Sequence, residues 1–344
     1  MELVTATMQA LVLAEYGRMS VEPRPVPARG PGDALLRILF TGICGSDLHG
    51  YTGENGRRSP GQVMGHETVA RIAELPPGYV GPLSVDQLVT INPTLACGEC
   101  AACAAGRDNN CATRRVIGVD PSVSSAFAEY MAAPVGNIVP LSPSMTAEHG
   151  ALIEPLAVGY HAAVRGGMKA GDDVLVIGAG PIGQAAILAA RRIGARRVLV
   201  SEPSPSRRAL AETLGAEPVD ASDADRMKES APGGVDIAID AVGVSATLAT
   251  ALTATSPGGA VVLVGMNAPT VSMPAYEVST QERTVLGAFC YTDDEFRATA
   301  LWAASADLDP LISRVVDLAD APDAFAALAA SPETASKILV SFDS

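Results

Sequence analysis

A glycine-rich turn between an apolar strand and an apolar helix constrains the fold of this chain more than any other sequence feature. The turn has the spacing G-x-G-x-x-G, formed by Gly178, Gly180 and Gly183. In this pattern the first glycine makes a tight turn, the second admits a pyrophosphate to the backbone amides, and the third lets the helix approach the strand. The context therefore predicts a dinucleotide-binding strand, turn and helix.

Strand-like and helix-like segments alternate from about Leu156 to Leu286. Apolar runs are followed by segments with helical periodicity, in the order Asp173–Gly178, Ile182–Ile193, Arg197–Glu202, Pro205–Leu214, Val235–Asp240, Ser245–Thr253 and Ala260–Val264. Such alternation predicts a parallel sheet with crossover helices packed on its faces.

The rest of the sequence has a β-rich pattern. Before Pro143, short β-type runs are separated by glycine- and proline-rich turns such as Val21–Asp33, and the runs are Gln9–Leu13, Ala34–Phe40 and Gln87–Ile91. A helical segment from Glu295 to Ser305 and a strand at Lys337–Phe342 lack a core of their own, so we expect them to pack on the first domain. We predict an α/β protein with a mainly β domain, residues 1–155 and 297–344, and a doubly wound parallel-sheet domain, residues 156–296.

Composition excludes several classes of partner. The 344 residues include 24 Lys and Arg against 38 Asp and Glu, and the formal net charge is −14. A surface with this much negative charge repels nucleic-acid phosphates and anionic lipid headgroups. We therefore expect neither a nucleic acid nor a membrane as a partner. The apolar stretch Val174–Ala190 is interrupted by glycines and Pro181, and residues 1–17 lack a secretory pattern, so the protein is expected to be cytoplasmic.

Glu202 extends the prediction from dinucleotide binding to the choice of dinucleotide. It stands nineteen positions after Gly183, at the end of a strand-like run. A carboxylate there accepts hydrogen bonds from the adenosine ribose hydroxyls and repels a 2′-phosphate, which favours NAD over NADP. Arg207 and Arg208 follow closely; arginines there can hold that phosphate, or they can form a solvated first helical turn.

Four cysteines lie within fifteen residues, at Cys97, Cys100, Cys103 and Cys111. Four thiolates at this spacing are typical of a structural zinc site that is closed tetrahedrally, with no open position. An iron–sulfur cluster is the main alternative reading, and reversible disulfides or buried thiols are the others.

A second set of ligating residues is more dispersed. Cys44 begins the segment CGSDLH, His66 and Glu67 form the segment GHE, and Glu154 lies in IEP. Each residue alone could belong to the core or the solvated surface. Together, a thiolate, an imidazole and a carboxylate are the ligands of a zinc ion that keeps one position open for water or substrate.

In their order along the chain, these motifs resemble the zinc-dependent medium-chain dehydrogenase/reductase family, and most of all its polyol, threonine and butanediol dehydrogenase branch. The resemblance implies a GroES-like catalytic domain, an inserted Rossmann domain, and an active site in the cleft between them. It also implies that Cys44, His66 and either Glu67 or Glu154 ligate a catalytic zinc. Glu154 matches a position that holds a cysteine ligand in the alcohol dehydrogenase branch, which favours the polyol type.

Further roles follow from the resemblance alone. It implies reversible hydride transfer between NAD and a secondary alcohol such as a diol, polyol, cyclitol or amino alcohol, with two zinc ions per chain and a homodimer or homotetramer. Ser46 and His49 would relay the substrate proton, and Asp47 would orient His66. The implied cofactor contacts are Gly178, Gly180, Pro181, Ile182, Gly183, Glu202, Arg207, Val264, Gly265, Met266, Ala288, Phe289 and Cys290.

Two departures leave the substrate open. Sorbitol-type members carry an arginine at the position of Cys290, and the loop Tyr51–Pro60 is shorter than in butanediol-type members. Two other functions stay as alternatives: a zinc-independent medium-chain reductase of quinones or enoyl compounds, and a non-catalytic redox-responsive or structural protein.

Overall fold

The computed structural model describes residues 6–54, 56–220, 223–331 and 336–342. The strands within these ranges are β1 (Thr7–Glu15), β2 (Arg18–Pro25), β3 (Asp33–Gly42), β4 (Glu67–Glu74), β5 (Leu88–Ile91), β6 (Thr94–Leu95), β7 (Arg115–Val116), β8 (Tyr130–Pro134), β9 (Ile138–Pro140), β10 (Asp173–Ile177), β11 (Arg197–Ser201), β12 (Glu217–Pro218), β13 (Val235–Asp240), β14 (Thr255–Leu263), β15 (Thr284–Gly287), β16 (Ile312–Asp317) and β17 (Lys337–Ser341).

The α-helices within the same ranges are α1 (Gly45–Thr52), α2 (Ala101–Ala104), α3 (Ala147–Gly150), α4 (Ile153–Arg165), α5 (Pro181–Ile193), α6 (Pro205–Thr213), α7 (Ala224–Ser230), α8 (Ser245–Ala254), α9 (Ala275–Thr280), α10 (Asp293–Ala303) and α11 (Ala321–Ala330). Short 3-10 turns stand at Asp108–Asn110, Val135–Asn137, Asp309–Leu311 and Leu318–Asp320. Of the described helices, none combines the length and the apolar composition that a membrane crossing requires.

The chain divides into two compact units. Unit 1 comprises Met1–Glu154 and Thr292–Ser344, and unit 2 comprises Pro155–Tyr291. The predicted boundaries fell after residues 155 and 296. The second division comes earlier in the structure because Thr292 caps α10 and the Asp293 N–H donates to the carboxylate of Asp108, which belongs to unit 1.

Unit 2 contains the predicted parallel sheet. Its strand order is β12-β11-β10-β13-β14-β15, and neighbouring strands are parallel throughout. Successive strands are added on one side of β10 up to β12, and then on its other side from β13 to β15. This is the doubly wound arrangement, in which ligands bind at the carboxyl ends of the strands where the order changes side. Strand β10 is buried along its whole length, as expected for the centre of a sheet covered on both faces. The predicted fold class is confirmed, whereas β15 was not among the predicted strands.

Unit 1 is mainly β. Its larger sheet has the order β16-β17-β3-β4-β5-β9, with β8 paired to β3, and smaller sheets are formed by β1 with β2 and by β6 with β7. Strand β17 lies antiparallel to β3, so the end of the chain returns to the sheet that its first part began. Phe127 and Phe325 meet edge to face in the core beneath this sheet, with ring centroids 5.6 Å apart.

The predicted turn at Val21–Asp33 was wrong in its first part, because β2 continues to Pro25. Pro23 pairs with Gln9 and Pro25 with Thr7 in the β1–β2 ladder. Proline is tolerated in a strand that pairs on one side only, since its missing N–H can face away from the ladder. The prolines therefore marked an edge strand here and not a turn.

The glycine turn supplies a stability prediction. A Cβ at Gly183 would collide with the carbonyl oxygen of Gly178, whereas a Cβ at Gly180 has open space around it. Gly183→Ala is therefore expected to separate α5 from β10 and to lower the free energy of unfolding by about 1–3 kcal/mol. Gly180→Ala, the matched control, should unfold at the wild-type denaturant midpoint. Equal midpoints for both variants would contradict this account of the turn.

Candidate functional site

The dispersed ligating residues meet in unit 1. Cys44 is the N-cap of α1, His66 directly precedes β4, and Glu67 is the first residue of β4. Each of the three offers one ligand atom, and these atoms all lie within 4.8 Å of one another. A thiolate, an imidazole and a carboxylate at such distances fit a single zinc ion with a fourth position free.

Asp47 lies beneath this set and is fully buried. Its Oδ2 accepts the backbone N–H of Cys44 at 3.1 Å, and its Oδ1 is 3.7 Å from Nδ1 of His66. A carboxylate on one ring nitrogen fixes the ring orientation and leaves the other nitrogen for a metal. The structure thus brings Asp47 into contact with His66, the residue that it is expected to orient.

The charges around His66 change its protonation. Burial alone would lower the pKa of His66, but the charges of Asp47 and Cys44 outweigh burial and raise this pKa to about 10. The imidazole is therefore protonated at neutral pH in the metal-free protein. A metal ion that binds His66 must displace this proton.

Glu67 is held by a lysine from the far end of the chain. Lys337, the first residue of β17, is buried, and its Nζ lies 2.7 Å from the carboxylate oxygens of Glu67. Burial alone would lower the pKa of Lys337, but Glu67 and Cys44 raise it, so the ammonium stays charged. The ion pair fixes the Glu67 carboxylate beside Cys44 and His66.

Glu154 is the alternative carboxylate ligand. It begins α4 together with Ile153, it is buried, and its charge contributes to the raised pKa of His66. Within the described ranges, the compact set of ligand atoms includes Glu67 and does not include Glu154. The geometry therefore favours Glu67 as the nearer carboxylate and keeps Glu154 within electrostatic range.

The two residues expected to relay protons lie one turn apart on α1. Ser46 and His49 are three positions apart, a spacing that puts both side chains on one face of the helix. Nδ1 of His49 is 3.1 Å from Oε2 of Glu54, and both of these side chains are partly exposed. Sequence reasoning missed Glu54, which extends this row of polar groups towards solvent.

The four-cysteine lobe also comes together. The four sulfur atoms lie within 4.8 Å of one another, and they belong to Cys97, Cys100, Cys103 and Cys111. Hydrogen bonds from Thr113 and from the Cys97 N–H lower the pKa of Cys111 to about 6, and burial raises the pKa of Cys103 to about 12. Four sulfur ligands around one point fit a tetrahedral zinc site.

In unit 2 the Glu202 carboxylate is tied to the glycine turn. Its Oε2 accepts the Ala179 N–H at 2.7 Å, and its Oε1 accepts the Ser204 N–H at 2.8 Å. Gly178 makes the turn with φ of +86°. The Glu202 carboxylate is therefore fixed at the carboxyl end of β11, beside the turn expected to bind the pyrophosphate, with lone pairs left to accept ribose hydroxyls.

The two arginines after Glu202 stand in different surroundings. Arg208 donates from Nη1 to the backbone carbonyl oxygens of Glu202 at 2.7 Å and Pro203 at 2.6 Å. The guanidinium of Arg208 therefore lies at the carboxyl end of β11, as Glu202 does. Arg207 is half-buried in the first turn of α6.

The residues expected near the nicotinamide share one edge of the unit 2 sheet. The pairing of Leu263 with Gly287 puts the segments after β14 and β15 side by side. These segments contain Val264, Gly265, Met266, Ala288, Phe289 and Cys290. Met266 and Phe289 are large exposed apolar side chains, and Cys290 has a left-handed backbone with φ of +52°. The carboxyl edge of a doubly wound sheet is where a dinucleotide binds.

Two family models match the chain. A model described as alcohol dehydrogenase GroES-like domain matches residues 30–143, and one described as zinc-binding dehydrogenase matches residues 181–305. The first falls in unit 1 and contains both sets of ligating residues except Glu154. The second begins at Pro181, within the glycine turn.

Three similar proteins extend this result. L-threonine 3-dehydrogenase of Pyrococcus horikoshii is 37% identical over 73% of this chain and 73% of its own length. A protein described as a zinc-binding dehydrogenase from Sinorhizobium meliloti, solved with NADP bound, is 32% identical, with a TM-score of 0.89 over 98% of this chain and 99% of its own. 2R,3R-butanediol dehydrogenase from Bacillus subtilis is 29% identical, with a TM-score of 0.88 over 97% of this chain and 99% of its own.

The raised pKa of His66 leads to a pH prediction. Zinc binding at Cys44, His66 and Glu67 displaces the His66 proton below about pH 10, so the apparent zinc affinity should rise about tenfold from pH 7 to pH 8 for this proton alone. Chelator competition at each pH measures the affinity, and calorimetry in two buffers of different ionisation enthalpy measures the protons released. Asp47→Asn removes the charge that raises this pKa most, so it should release fewer protons. Proton release equal to that of the wild type would overturn the prediction.

Proposed function

Because this chain belongs to the zinc-dependent medium-chain alcohol and polyol dehydrogenase family, we propose that it catalyses reversible oxidation of a secondary alcohol to a ketone with NAD. The observation that carries the proposal is the convergence of Cys44, His66 and Glu67 within 4.8 Å. A chain that carries this open metal site and a dinucleotide turn has the two components that alcohol oxidation needs. The alcohol loses a hydride to the dinucleotide and a proton to the protein.

Zinc, when bound, supplies a Lewis acid that lowers the pKa of the substrate hydroxyl, and NAD supplies the hydride acceptor. Cys44, His66 and Glu67 hold the metal, with Glu154 as a further carboxylate that can replace Glu67. Lys337 neutralises Glu67 through the 2.7 Å contact, which limits the total negative charge in the site. Burial of His66, Glu67 and Lys337 strengthens the electrostatic interactions among these groups.

In this proposal, side chains of α1 carry the proton of the substrate hydroxyl towards solvent. Ser46 takes up the hydroxyl proton of the substrate as it gives its own hydroxyl proton towards His49, and His49 releases a proton to solvent. The contact of His49 with the exposed Glu54 supports an outlet on this side of the helix. Asp47 takes no proton in the reaction and orients His66.

NAD is the proposed dinucleotide, held at Gly178, Gly180, Pro181, Ile182 and Gly183. The fixed Glu202 carboxylate supports NAD, because it presents acceptors to the ribose hydroxyls and negative charge to a 2′-phosphate. The relative from Sinorhizobium meliloti was solved with NADP. Arg208, which lies at the same end of β11, is the side chain that could hold such a phosphate here.

The proposed substrate is a secondary alcohol with a second polar group nearby, such as a diol, a polyol, a cyclitol or an amino alcohol. The names of two relatives support this class, since threonine and butanediol each carry a secondary hydroxyl beside an amino or hydroxyl group. Cys290 replaces the arginine of sorbitol-type members, so sorbitol itself is not the proposed substrate.

We further propose a cytoplasmic homo-oligomer, either a dimer or a tetramer. Strand β15 lies at one edge of the unit 2 sheet, and its sequence TVLG has neither charge nor proline to discourage pairing with a second copy. A reducing compartment would keep Cys44 and the four-cysteine lobe available as metal ligands.

Removal of single ligands tests the metal-dependent activity. Cys44→Ser and His66→Ala should each reduce kcat at least a hundredfold in NADH formation from a panel of diols, hexitols, cyclitols and amino alcohols, and should lower bound zinc from two to one per chain. The remaining zinc belongs to the four-cysteine lobe. His149→Ala is the matched control, because His149 pairs with Asp309 and belongs to neither set of ligand atoms among the described residues, and it should keep turnover and both metals. Wild-type turnover by a Cys44→Ser protein that lacks the second zinc would exclude the proposal.

Glu202→Ala tests the dinucleotide assignment. Loss of charged hydrogen bonds to the ribose is worth about 1.5–3 kcal/mol, so KM for NAD should rise about tenfold or more. KM for NADP should fall or stay constant, because the repulsion of its 2′-phosphate is removed. The ratio of kcat/KM for the two dinucleotides is the measurement, and an unchanged ratio would show that Glu202 does not select the cofactor.

A further inference from the structure

Arg58 is a buried cation to which the sequence patterns assign no role. It lies in the loop between α1 and β4 and is 2% exposed, whereas its neighbour Arg57 is exposed. The hydroxyl of Tyr16 donates to the backbone carbonyl of Arg58 at 3.1 Å. A buried guanidinium is costly unless an opposite charge balances it, so its partner identifies its role.

That partner is Asp47. Nη2 of Arg58 lies 3.7 Å from Oδ1 of Asp47, and the same oxygen lies 3.7 Å from Nδ1 of His66. At 3.7 Å both contacts are ion pairs and not hydrogen bonds, and within the described residues none of these three atoms has a hydrogen-bond partner. The other Asp47 oxygen is taken by the Cys44 N–H. The Asp47 carboxylate is therefore held by Arg58 on one side and holds His66 on the other.

The backbone of α1 accommodates this arginine. A Cβ at Gly50 would collide with Cγ of Arg58, and Sδ of Met64 would lie 3.1 Å from the same Cβ. Glycine inside a helix is about 0.5–1 kcal/mol less favourable than alanine. The side chain of Arg58 occupies the space that Gly50 leaves, which accounts for this unfavourable residue at the centre of α1.

Among the described residues, Arg58 and Lys337 are the two permanent cations of this cluster. Lys337 pairs with Glu67, and Arg58 pairs with Asp47. A neutral residue in place of Arg58 would leave the buried Asp47 carboxylate without this cation, which is strongly unfavourable.

We propose that Arg58 is a positioning residue of the metal centre: it fixes the Asp47 carboxylate, which in turn holds His66 with one ring nitrogen directed at the metal. The inference rests on the proposed zinc site, and it adds to that site a residue that contacts the partner of a ligand. Arg58 acts through Asp47 and touches neither metal nor substrate. A merely structural arginine would change the stability of unit 1 and leave the metal affinity unchanged.

Zinc affinity of the full-length protein is the primary measurement, by chelator competition, with the four-cysteine zinc as the internal reference. Arg58→Met and Arg58→Gln should weaken binding at the open site about 10–100-fold, the usual effect of removing a residue that orients a ligand. Arg58→Lys keeps the charge and should stay within about threefold of the wild type. Arg57→Met, the exposed neighbour, should bind zinc as the wild type does. Cobalt(II) bound in the open site should show a changed visible spectrum in the neutral Arg58 variants alone.

A double variant distinguishes positioning from stability even where a single neutral variant fails to fold. Asp47→Asn with Arg58→Gln removes both buried charges together and leaves none unpaired. If Arg58 acts through Asp47, this protein should bind zinc as Asp47→Asn does. A further loss in the double variant, or wild-type zinc affinity in Arg58→Met, would overturn the inference. If the wild type binds zinc at both sites and oxidises no alcohol, the proposed function fails while the affinity test of Arg58 still applies.

Discussion

The concentration of ionisable groups in the interior of unit 1 is the constraint on which the site depends. Cys44, Asp47, Glu67 and Glu154 act electrostatically on His66 or Lys337 there, and isolated charges in such surroundings are strongly unfavourable. The chain compensates with two cations from separate segments, Arg58 and Lys337, and with protonation of His66 in the metal-free state. A metal ion that binds here must displace the His66 proton, so the charges that keep His66 protonated in the metal-free protein also favour the bound cation.

The fold of unit 2 could be predicted from sequence because its determinants are local. The strand, the turn with Gly178 and Gly183, and the following helix are contiguous, and the alternation of elements implies parallel pairing. Glu202 was also found by its distance along the chain. The edge strand β15 escaped prediction because TVLG is short and lacks the apolar run that marks a buried strand. The prolines of β2 were predicted to form a turn. They are compatible with a strand because β2 pairs with β1 on one side only, and the sequence does not show this.

Residue type and spacing were enough to propose the candidate ligand sets, whereas the residues that support them could not be predicted. Lys337 contacts Glu67 across 270 positions, and a single lysine in a β-rich segment has no pattern to distinguish it. Arg58 adjoins an exposed arginine of the same type, so only burial separates the two. Glu54 lies five positions after His49, a spacing at which many exposed acids occur. Contacts of this kind depend on the folded topology, because antiparallel pairing of β17 with β3 brings Lys337 to the site.

The four-cysteine lobe also contacts the start of α10, through Asp108. Asp108, three residues before Cys111, accepts the Asp293 N–H at 3.2 Å with each carboxylate oxygen, and Asn92 donates to the Asp293 side chain at 2.9 Å. These bonds satisfy the N-terminus of α10, where the chain re-enters unit 1. Asp108 thus links the cysteine lobe to the start of α10, and the chain that follows α10 supplies Lys337 to Glu67.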